Sequence, residues 1–155
     1  MARSLGLDVG NRRIGVAVSD AIKVIARPVE VIDRRRQNAI RRITDLVHEY
    51  QTDEIVVGYP WNTNGSAGEQ AHAVESFTEQ LRTAVNLPVR YYDERYSTGE
   101  AKDIISSRKR KDQTQHDDAI AAAVILQRYL DEARAQTTEP PAAEYDDPAP
   151  GGQLT

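Results

Sequence analysis

The chain contains no cysteine, which excludes disulfides, thiolate nucleophiles and cysteine-based zinc sites. Its three histidines are scattered and form no H-x-x-x-H pair, so any bound metal should be a hard cation held by oxygen ligands. No apolar run approaches the ~18 residues that a membrane span needs, and the first residues lack the hydrophobic segment of a signal peptide. By elimination, we expect a cytoplasmic protein that does not enter a membrane.

The sequence also lacks an excess of basic residues, since its formal net charge is −4. The acids are unevenly placed, however. Residues 131–155 hold six of the 24 acids and one of the 20 bases, which leaves 18 acids and 19 bases in residues 1–130. Overall charge therefore does not argue against a nucleic-acid partner. We expect one folded domain over residues 1–135, followed by a disordered acidic, proline-rich tail over 136–155.

The spacing of apolar residues predicts five strands and four helices in the order βββαβαβαα. Three meandering strands followed by crossover units imply an α/β fold, a mixed five-stranded sheet flanked by helices on both faces. Pro28 predicts an edge position or a bulge for the third strand. The predicted strands cover 5–10, 14–19, 24–32, 54–59 and 88–93, and the helices cover 37–50, 69–85, a stretch from Ser97 and a stretch from 114 to about 133.

Acidic residues stand at three places where such a sheet collects functional groups. Asp8 lies late in the first strand, where a carboxylate is costly to bury unless it is paired or bound to a cation. The alternative for Asp8 is that it caps the following turn. Asp93 and Glu94 end the fifth strand, and strand alternation lets only one of them face the same pocket. The alternative there is a solvated strand end.

Two further acids, Asp117 and Asp118, open the last helix. Asp118 shares a face with apolar residues that should pack on the sheet, whereas Asp117 falls near the third helical position if Thr114 is the N-cap. We therefore interpret Asp117 as a helix cap and Asp118 as the functional acid. If the three acidic sites converge, carboxylates without a histidine suit Mg²⁺ or Mn²⁺, and such sites commonly act on phosphates.

Four segments together resemble the YqgF family, also called RuvX, within the RNase H-like superfamily. The resemblance covers about residues 4–132, and four motifs in order with compatible spacing are strong evidence where one would be modest. The matching segments are Gly6–Asp20, Val56–Pro60 with Asn62, Gly65 and Ser66, Asp93–Arg95 with Ser97, Thr98 and Ala101, and Asp118–Ala122 with Ile125–Gln127, Tyr129 and Leu130.

The resemblance implies a metal-dependent nuclease tied to maturation of the 5′ end of pre-16S ribosomal RNA, in older descriptions a Holliday-junction resolvase homologue. It assigns the catalytic and metal-binding acids to Asp8, Glu94 and Asp118, with Mg²⁺ or Mn²⁺ as cofactor. The fourth strand ends in Gly58-Tyr59-Pro60, without the carboxylate of the wider RuvC-like pattern. Three acids therefore stand where many two-metal sites have four, so one-metal chemistry and a second metal recruited with substrate both stay open.

Basic residues flank the proposed acids and are candidates for holding substrate phosphates. For the Arg12–Arg13 pair and for the run Arg108, Lys109, Arg110 and Lys111, a merely solvated charge is an equal alternative. Arg95 follows Glu94 as in the family motif, and we favour a substrate role for it. We interpret Arg34–Arg36 as a solvated helix start.

Three classes of function fit the sequence. Besides an RNA nuclease, a resolvase-like DNA nuclease and a non-catalytic RNA-binding factor of ribosome assembly fit the same pattern. An actin-like ATPase would need two lobes, for which the chain has no room. RNA is the favoured partner and structured DNA a second one, and a pre-ribosomal particle is a further expected partner. The sequence leaves the oligomeric state open.

Overall fold

The computed structural model describes residues 2–60, 68–93 and 114–138. The predicted helix from Ser97 lies outside these residues, as does the chain beyond Thr138. Every other predicted element is present, with bounds shifted by up to five residues. The elements are β1 (Arg3–Val9), β2 (Arg13–Ser19), β3 (Ala26–Asp33), α1 (Ala39–Tyr50), β4 (Thr52–Tyr59), α2 (Glu69–Ala84), β5 (Val89–Asp93) and α3 (Thr114–Thr138).

The five strands form one mixed sheet in the order β3-β2-β1-β4-β5. The β1–β2 and β2–β3 pairs are antiparallel, and the β1–β4 and β4–β5 pairs are parallel. The predicted mixed five-stranded sheet is confirmed. Pro28 lies on edge strand β3, beside a register shift between Val16 and Ala17, so both predictions for this proline hold.

Helices cover both faces of the sheet, as predicted. On one face, alternate residues of β1 such as Leu5 and Leu7 pack with Ile43 of α1 and Phe77 of α2 in the larger core cluster. On the other face, Ala17 and Val56 of the sheet pack with apolar residues of α3, namely Ala122, Ile125, Leu126 and Leu130. In the described part of the chain, no helix is both long enough and apolar enough to cross a membrane.

Glycines let α3 lie unusually close to the sheet. A Cβ atom at Gly15 of β2 would lie 1.9 Å from the carbonyl oxygen of Asp118, and one at Gly6 of β1 would lie 2.8 Å from the Cβ of Leu126. Real side chains do not tolerate such distances. The two glycines therefore set how closely, and at which points, the first half of α3 meets the sheet.

A buried carboxylate ties α3 to the opposite end of the sheet. Glu54 accepts hydrogen bonds from Ser4 Oγ at 2.6 Å, Tyr129 OH at 2.9 Å, Lys23 Nζ at 3.1 Å and Arg90 Nε at 3.1 Å. Burial works to raise the pKa of Glu54, but the bonds from Ser4, Tyr129 and Lys23 outweigh it and hold the pKa below its ordinary value. We call these five residues the Glu54 cluster.

Candidate active site

The candidate site lies at the carboxyl end of β1, on the face covered by α3. Asp8 pairs with Gly15 across the β1–β2 ladder, and the backbone of Asp118 sits against that glycine. Asp8 is two residues from Gly6, which also faces α3, so strand alternation sends the Asp8 side chain to this face. The close approach at Gly15 therefore brings the first turns of α3, with Asp118, over the end of β1.

The two carboxylates interact electrostatically. Burial, and in second place the negative charge of Asp118, raise the pKa of Asp8 to about 6. No residue in the described part of the chain donates a hydrogen bond to the Asp8 carboxylate. Arg13 Nε donates to Asp118 Oδ2 at 2.7 Å, with both side chains about one third exposed. The structure thus brings Asp8 and Asp118 to the same strand end, and Arg13 gives Asp118 a counter-charge.

The third predicted acid, Glu94, lies outside the described residues, together with Arg95, Arg108, Lys109, Arg110 and Lys111. Asp93 is described. Its neighbour Tyr92 packs against α3, so alternation directs Asp93 to the opposite face of β5. Within residues 2–60, 68–93 and 114–138, no three acidic or histidine side chains gather as a metal site.

The two described arginines of the predicted phosphate contacts differ in their surroundings. Arg13 forms an ion pair with Asp118. It is therefore not merely a solvated residue of the hairpin turn. Arg12 extends outward, with 52% of its side chain exposed and its guanidinium 3.8 Å from Asp33. Arg12 therefore remains available to a ligand, whereas Arg13 is bound to one of the acids.

The structure adds residues that the sequence did not reveal. Gln70 Nε2 donates to the carbonyl of Val9 at 3.0 Å, and Arg34 Nη1 donates to the carbonyl of Gly10 at 2.8 Å. Both contacts fix the strand end that carries Asp8. Nothing in the local sequence marks Gln70, whereas Gly15, alone among β-branched neighbours in β2, was a visible sign of a close backbone approach.

Asp117 differs from its predicted environment. It lies in the first turn of α3, as expected for a capping acid. However, it is only 8% exposed, and its Oδ1 finds no hydrogen-bond partner among the described residues. A helix cap would normally be partly solvated, so the burial of this carboxylate was not anticipated.

Tyr59 is buried at the end of β4. Its ring lies edge-on to Tyr91 with a centroid distance of 5.0 Å, and its hydroxyl donates to Glu75 of α2. The hydrogen bond to Glu75, with burial second, raises the pKa of Tyr59 to about 12.

The donor chemistry of the site fits a hard divalent cation. Asp8 and Asp118 offer carboxylate oxygens, the ligands that Mg²⁺ and Mn²⁺ prefer. A cation beside Asp8 would offset both causes of its raised pKa, because it neutralises the charge of Asp118 and compensates the lost hydration. The two carboxylates therefore supply oxygen ligands of the kind that a divalent cation would need.

Comparisons with known proteins agree with this geometry. The family described as "RuvX: Holliday junction resolvase" matches residues 2–132. A Geobacillus kaustophilus protein named "Putative pre-16S rRNA nuclease" is 42% identical over 137 residues, which are 85% of this chain and 99% of that protein. A Thermosynechococcus vestitus protein of the same name is 38% identical over 149 residues, covering 94% and 98% of the two chains.

Solved structures show the same fold at low sequence identity. RuvC of Thermus thermophilus in complex with a Holliday junction substrate superposes with a TM-score of 0.58 and 18% identity, covering 88% of this chain and 98% of that one. The yeast mitochondrial Holliday junction resolvase Ydc2 gives a TM-score of 0.53 and 12% identity, covering 89% and 84%. The expected RNase H-like fold is thereby confirmed.

Proposed function

Because the chain belongs to the RuvX family, we propose that it is a metal-dependent nuclease that hydrolyses nucleic-acid phosphodiesters with carboxylates from Asp8, Glu94 and Asp118. The observation that carries this proposal is the Asp8–Asp118 pair. The sequence places these acids 110 positions apart, and the close approach of α3 to Gly15 brings them to one strand end. Two like charges at one strand end destabilise the fold, so their presence there favours a functional role over a purely structural one.

The ligands of Mg²⁺ or Mn²⁺ would be Asp8 and Asp118, joined by Glu94 as a ligand or as the group that orients the attacking water. Strand alternation supports Glu94 over Asp93, since Asp93 is directed to the opposite face of β5. When bound, a divalent cation polarises the phosphoryl oxygen, activates water and stabilises the leaving oxygen.

The side chains of the protein supply position and charge in this reaction. Gln70 and Arg34 hold the end of β1, so the Asp8 carboxylate is placed before substrate arrives. Arg13 neutralises Asp118 and keeps its carboxylate oriented. Water attacks in line and cleaves the P–O bond to the 3′ oxygen, which takes up a proton; the products are a 3′-hydroxyl and a 5′-phosphate.

For the substrate we favour RNA, specifically the 5′ end of the 16S ribosomal RNA precursor. The names of relatives about 40% identical over most of this chain support this choice. Precursor processing would place the protein in the cytoplasm, on or near a pre-ribosomal particle. A four-way DNA junction is the second candidate, supported by the description of the family.

The test compares labelled single-stranded RNA, duplex DNA and a four-way junction, each with Mn²⁺, Mg²⁺ or EDTA. We expect cleavage of RNA only with a divalent ion, and loss of at least about 100-fold in rate for Asp8→Asn and Asp118→Asn. Asp53→Asn is the matched control, because Asp53 is an exposed carboxylate at the start of β4, at the other end of the sheet.

Unchanged cleavage by pure Asp8→Asn protein would refute the assignment of the acids. A non-catalytic assembly factor predicts a different pattern, in which no probe is cleaved and Asp8→Asn still rescues a cell that lacks the protein. Faster cleavage of the junction than of RNA would move the function to DNA resolution while leaving the chemistry intact.

A further inference from the structure

The turn that joins β3 to α1 is hydrogen-bonded to the turn between β1 and β2, which directly follows the strand end that carries Asp8. Arg34 N donates to the carbonyl of Arg12 at 2.8 Å, and the Arg34 side chain donates to the carbonyl of Gly10. The backbone amides of Arg36 and Gln37 in turn donate to the carbonyl of Asp33. The turn is therefore a fixed extension of the strand end that carries Asp8.

The arginines on these two turns and in the first turn of α1 divide into two groups by their contacts. Arg34 is held by Gly10 and lies over the ring of Phe77, 5.0 Å from its centroid. Nearby, Arg42 forms a two-pronged pair with Glu30 at 2.7 and 2.9 Å. These two arginines stabilise the fold, and neither guanidinium is free to take up a ligand.

Arg12, Arg35 and Arg36 instead face solvent. The side chain of Arg36 is 85% exposed, and that of Arg12 is 52% exposed. Asp33 is the one carboxylate within reach in the described part of the chain, and it is 3.8 Å from both of these guanidiniums. The side chain of Arg35 forms no ion pair with any described residue. Two positive charges therefore remain in excess on these three arginines, beside a site that itself repels anions.

Outward guanidiniums on a rigid turn are suited to grip a phosphate backbone. Arginine presents a planar fork that matches phosphate oxygens, and it loses little freedom when its backbone is already fixed. Contacts of this kind position a nucleic acid without reading its sequence. Solvated arginines on a free loop would need neither the hydrogen bond from the Arg34 side chain to Gly10 nor the backbone hydrogen bond from Arg34 to Arg12.

We propose that Arg12, Arg35 and Arg36 form a phosphate clamp that holds the backbone of the nucleic-acid substrate beside the Asp8–Asp118 pair. This inference rests on the proposed nuclease function for the identity of its ligand. It replaces the expectation that Arg34–Arg36 are merely a solvated helix start. These arginines are positioning residues, since they contact the substrate away from the scissile bond.

The experiment measures binding of labelled single-stranded RNA in EDTA as salt is raised, for the full chain and for Arg35→Gln/Arg36→Gln. Each lost phosphate contact lowers the slope of log K against log salt by about 0.7 for a single strand. We expect the double variant to lose about 1.4 from the slope and about tenfold in affinity at low salt. With Mn²⁺ present, its KM for cleavage should rise while kcat stays close to that of the wild type.

Arg27→Gln is the matched control, because Arg27 is an exposed arginine near the start of β3, whereas Arg35 and Arg36 follow the end of that strand. It should bind and cleave like the wild type. The clamp is refuted if the double variant keeps the wild-type slope, if Arg27→Gln loses as much affinity, or if the wild type binds no RNA. Lost binding in the double variant without cleavage by the wild type would instead refute the nuclease function and leave the clamp standing.

Discussion

At the scale of single residues, Asp8 destabilises the fold near neutral pH when no cation is bound. A pKa raised from 3.8 to about 6 means that the folded state holds this proton more tightly than the unfolded state does. Stability from this group is therefore highest below about pH 4 and falls as the pH rises towards 6. Since one unit of pKa corresponds to about 1.4 kcal/mol, the loss is on the order of 2–3 kcal/mol.

Asp8→Asn removes this ionisation while it keeps the size of the side chain. In EDTA we expect the variant to be more stable than the wild type by about 2 kcal/mol near pH 8, and by much less near pH 4. Urea unfolding at the two pH values measures the difference. An Asn variant that is equally destabilised at both pH values would show that Asp8 has a packing role and no electrostatic cost.

Arg13 Nε donates to Oδ2 of Asp118, an oxygen that a bound cation would also be able to use. Removing its guanidinium in Arg13→Gln should leave Asp118 without a counter-charge, lower stability in EDTA by about 1 kcal/mol, and strengthen the binding of Mn²⁺. The Mn²⁺-induced rise in Tm should therefore be larger than in the wild type. A smaller rise would mean that Arg13 chiefly orients Asp118 for the metal. Arg12→Gln serves as the control, because Arg12 does not contact either acid.

At the scale of elements, the position of α3 depends on the absence of a side chain at Gly15. We expect Gly15→Ala to lift the start of α3 from the sheet, because backbone atoms at 1.9 Å cannot yield. The cost should be about 3 kcal/mol or more, and cleavage by the remaining folded protein should be lost with the displaced Asp118. Urea unfolding and cleavage assays measure the two effects.

Gly6→Ala gives a graded comparison on the same helix. Its Cβ would meet the side chain of Leu126 and the carbonyl of Ala122, at longer distances and farther from Asp118. It should cost less stability than Gly15→Ala and should preserve activity at temperatures where it is folded. Equal loss of activity in the two variants would mean that the whole helix, and not its first turns, sets the site.

The elements could be predicted because their periodicity is local. Alternating apolar residues in β2, and helical spacing in α1, identify strands and helices without knowledge of the fold. The pairing of Asp8 with Asp118 was expected from the family motifs. The local pattern alone could only indicate that each carboxylate lies among apolar residues, where it is costly to bury unless it is paired or bound to a cation. The contacts of Gln70 and Arg34 could not be predicted, because long side chains reach backbone carbonyls whose position depends on the assembled sheet.

At the scale of the whole molecule, α3 connects two charged sites of opposite pH dependence. Its first turns carry Asp118, and Tyr129, 11 residues along, enters the Glu54 cluster roughly 16 Å away at 1.5 Å per residue. The depressed pKa of Glu54 gives stability that is present above its unfolded value and is lost as the pH falls through its folded value. Asp8 acts in the opposite direction as the pH rises, so metal-free protein should be most stable in mildly acidic solution.

Glu54→Gln should lower the stability of the fold without changing the binding of a cation at the Asp8–Asp118 pair. The variant leaves Lys23 and Arg90 without their shared buried carboxylate, so it should lower stability by about 3 kcal/mol near neutral pH. The Mn²⁺-induced rise in Tm should stay as in the wild type, because no residue of the Glu54 cluster touches Asp8 or Asp118. Thermal unfolding with and without Mn²⁺ measures both quantities. If the rise in Tm shrank with Glu54→Gln, α3 would have to transmit the loss of its far anchor to Asp118, and the two sites would act as one cooperative unit.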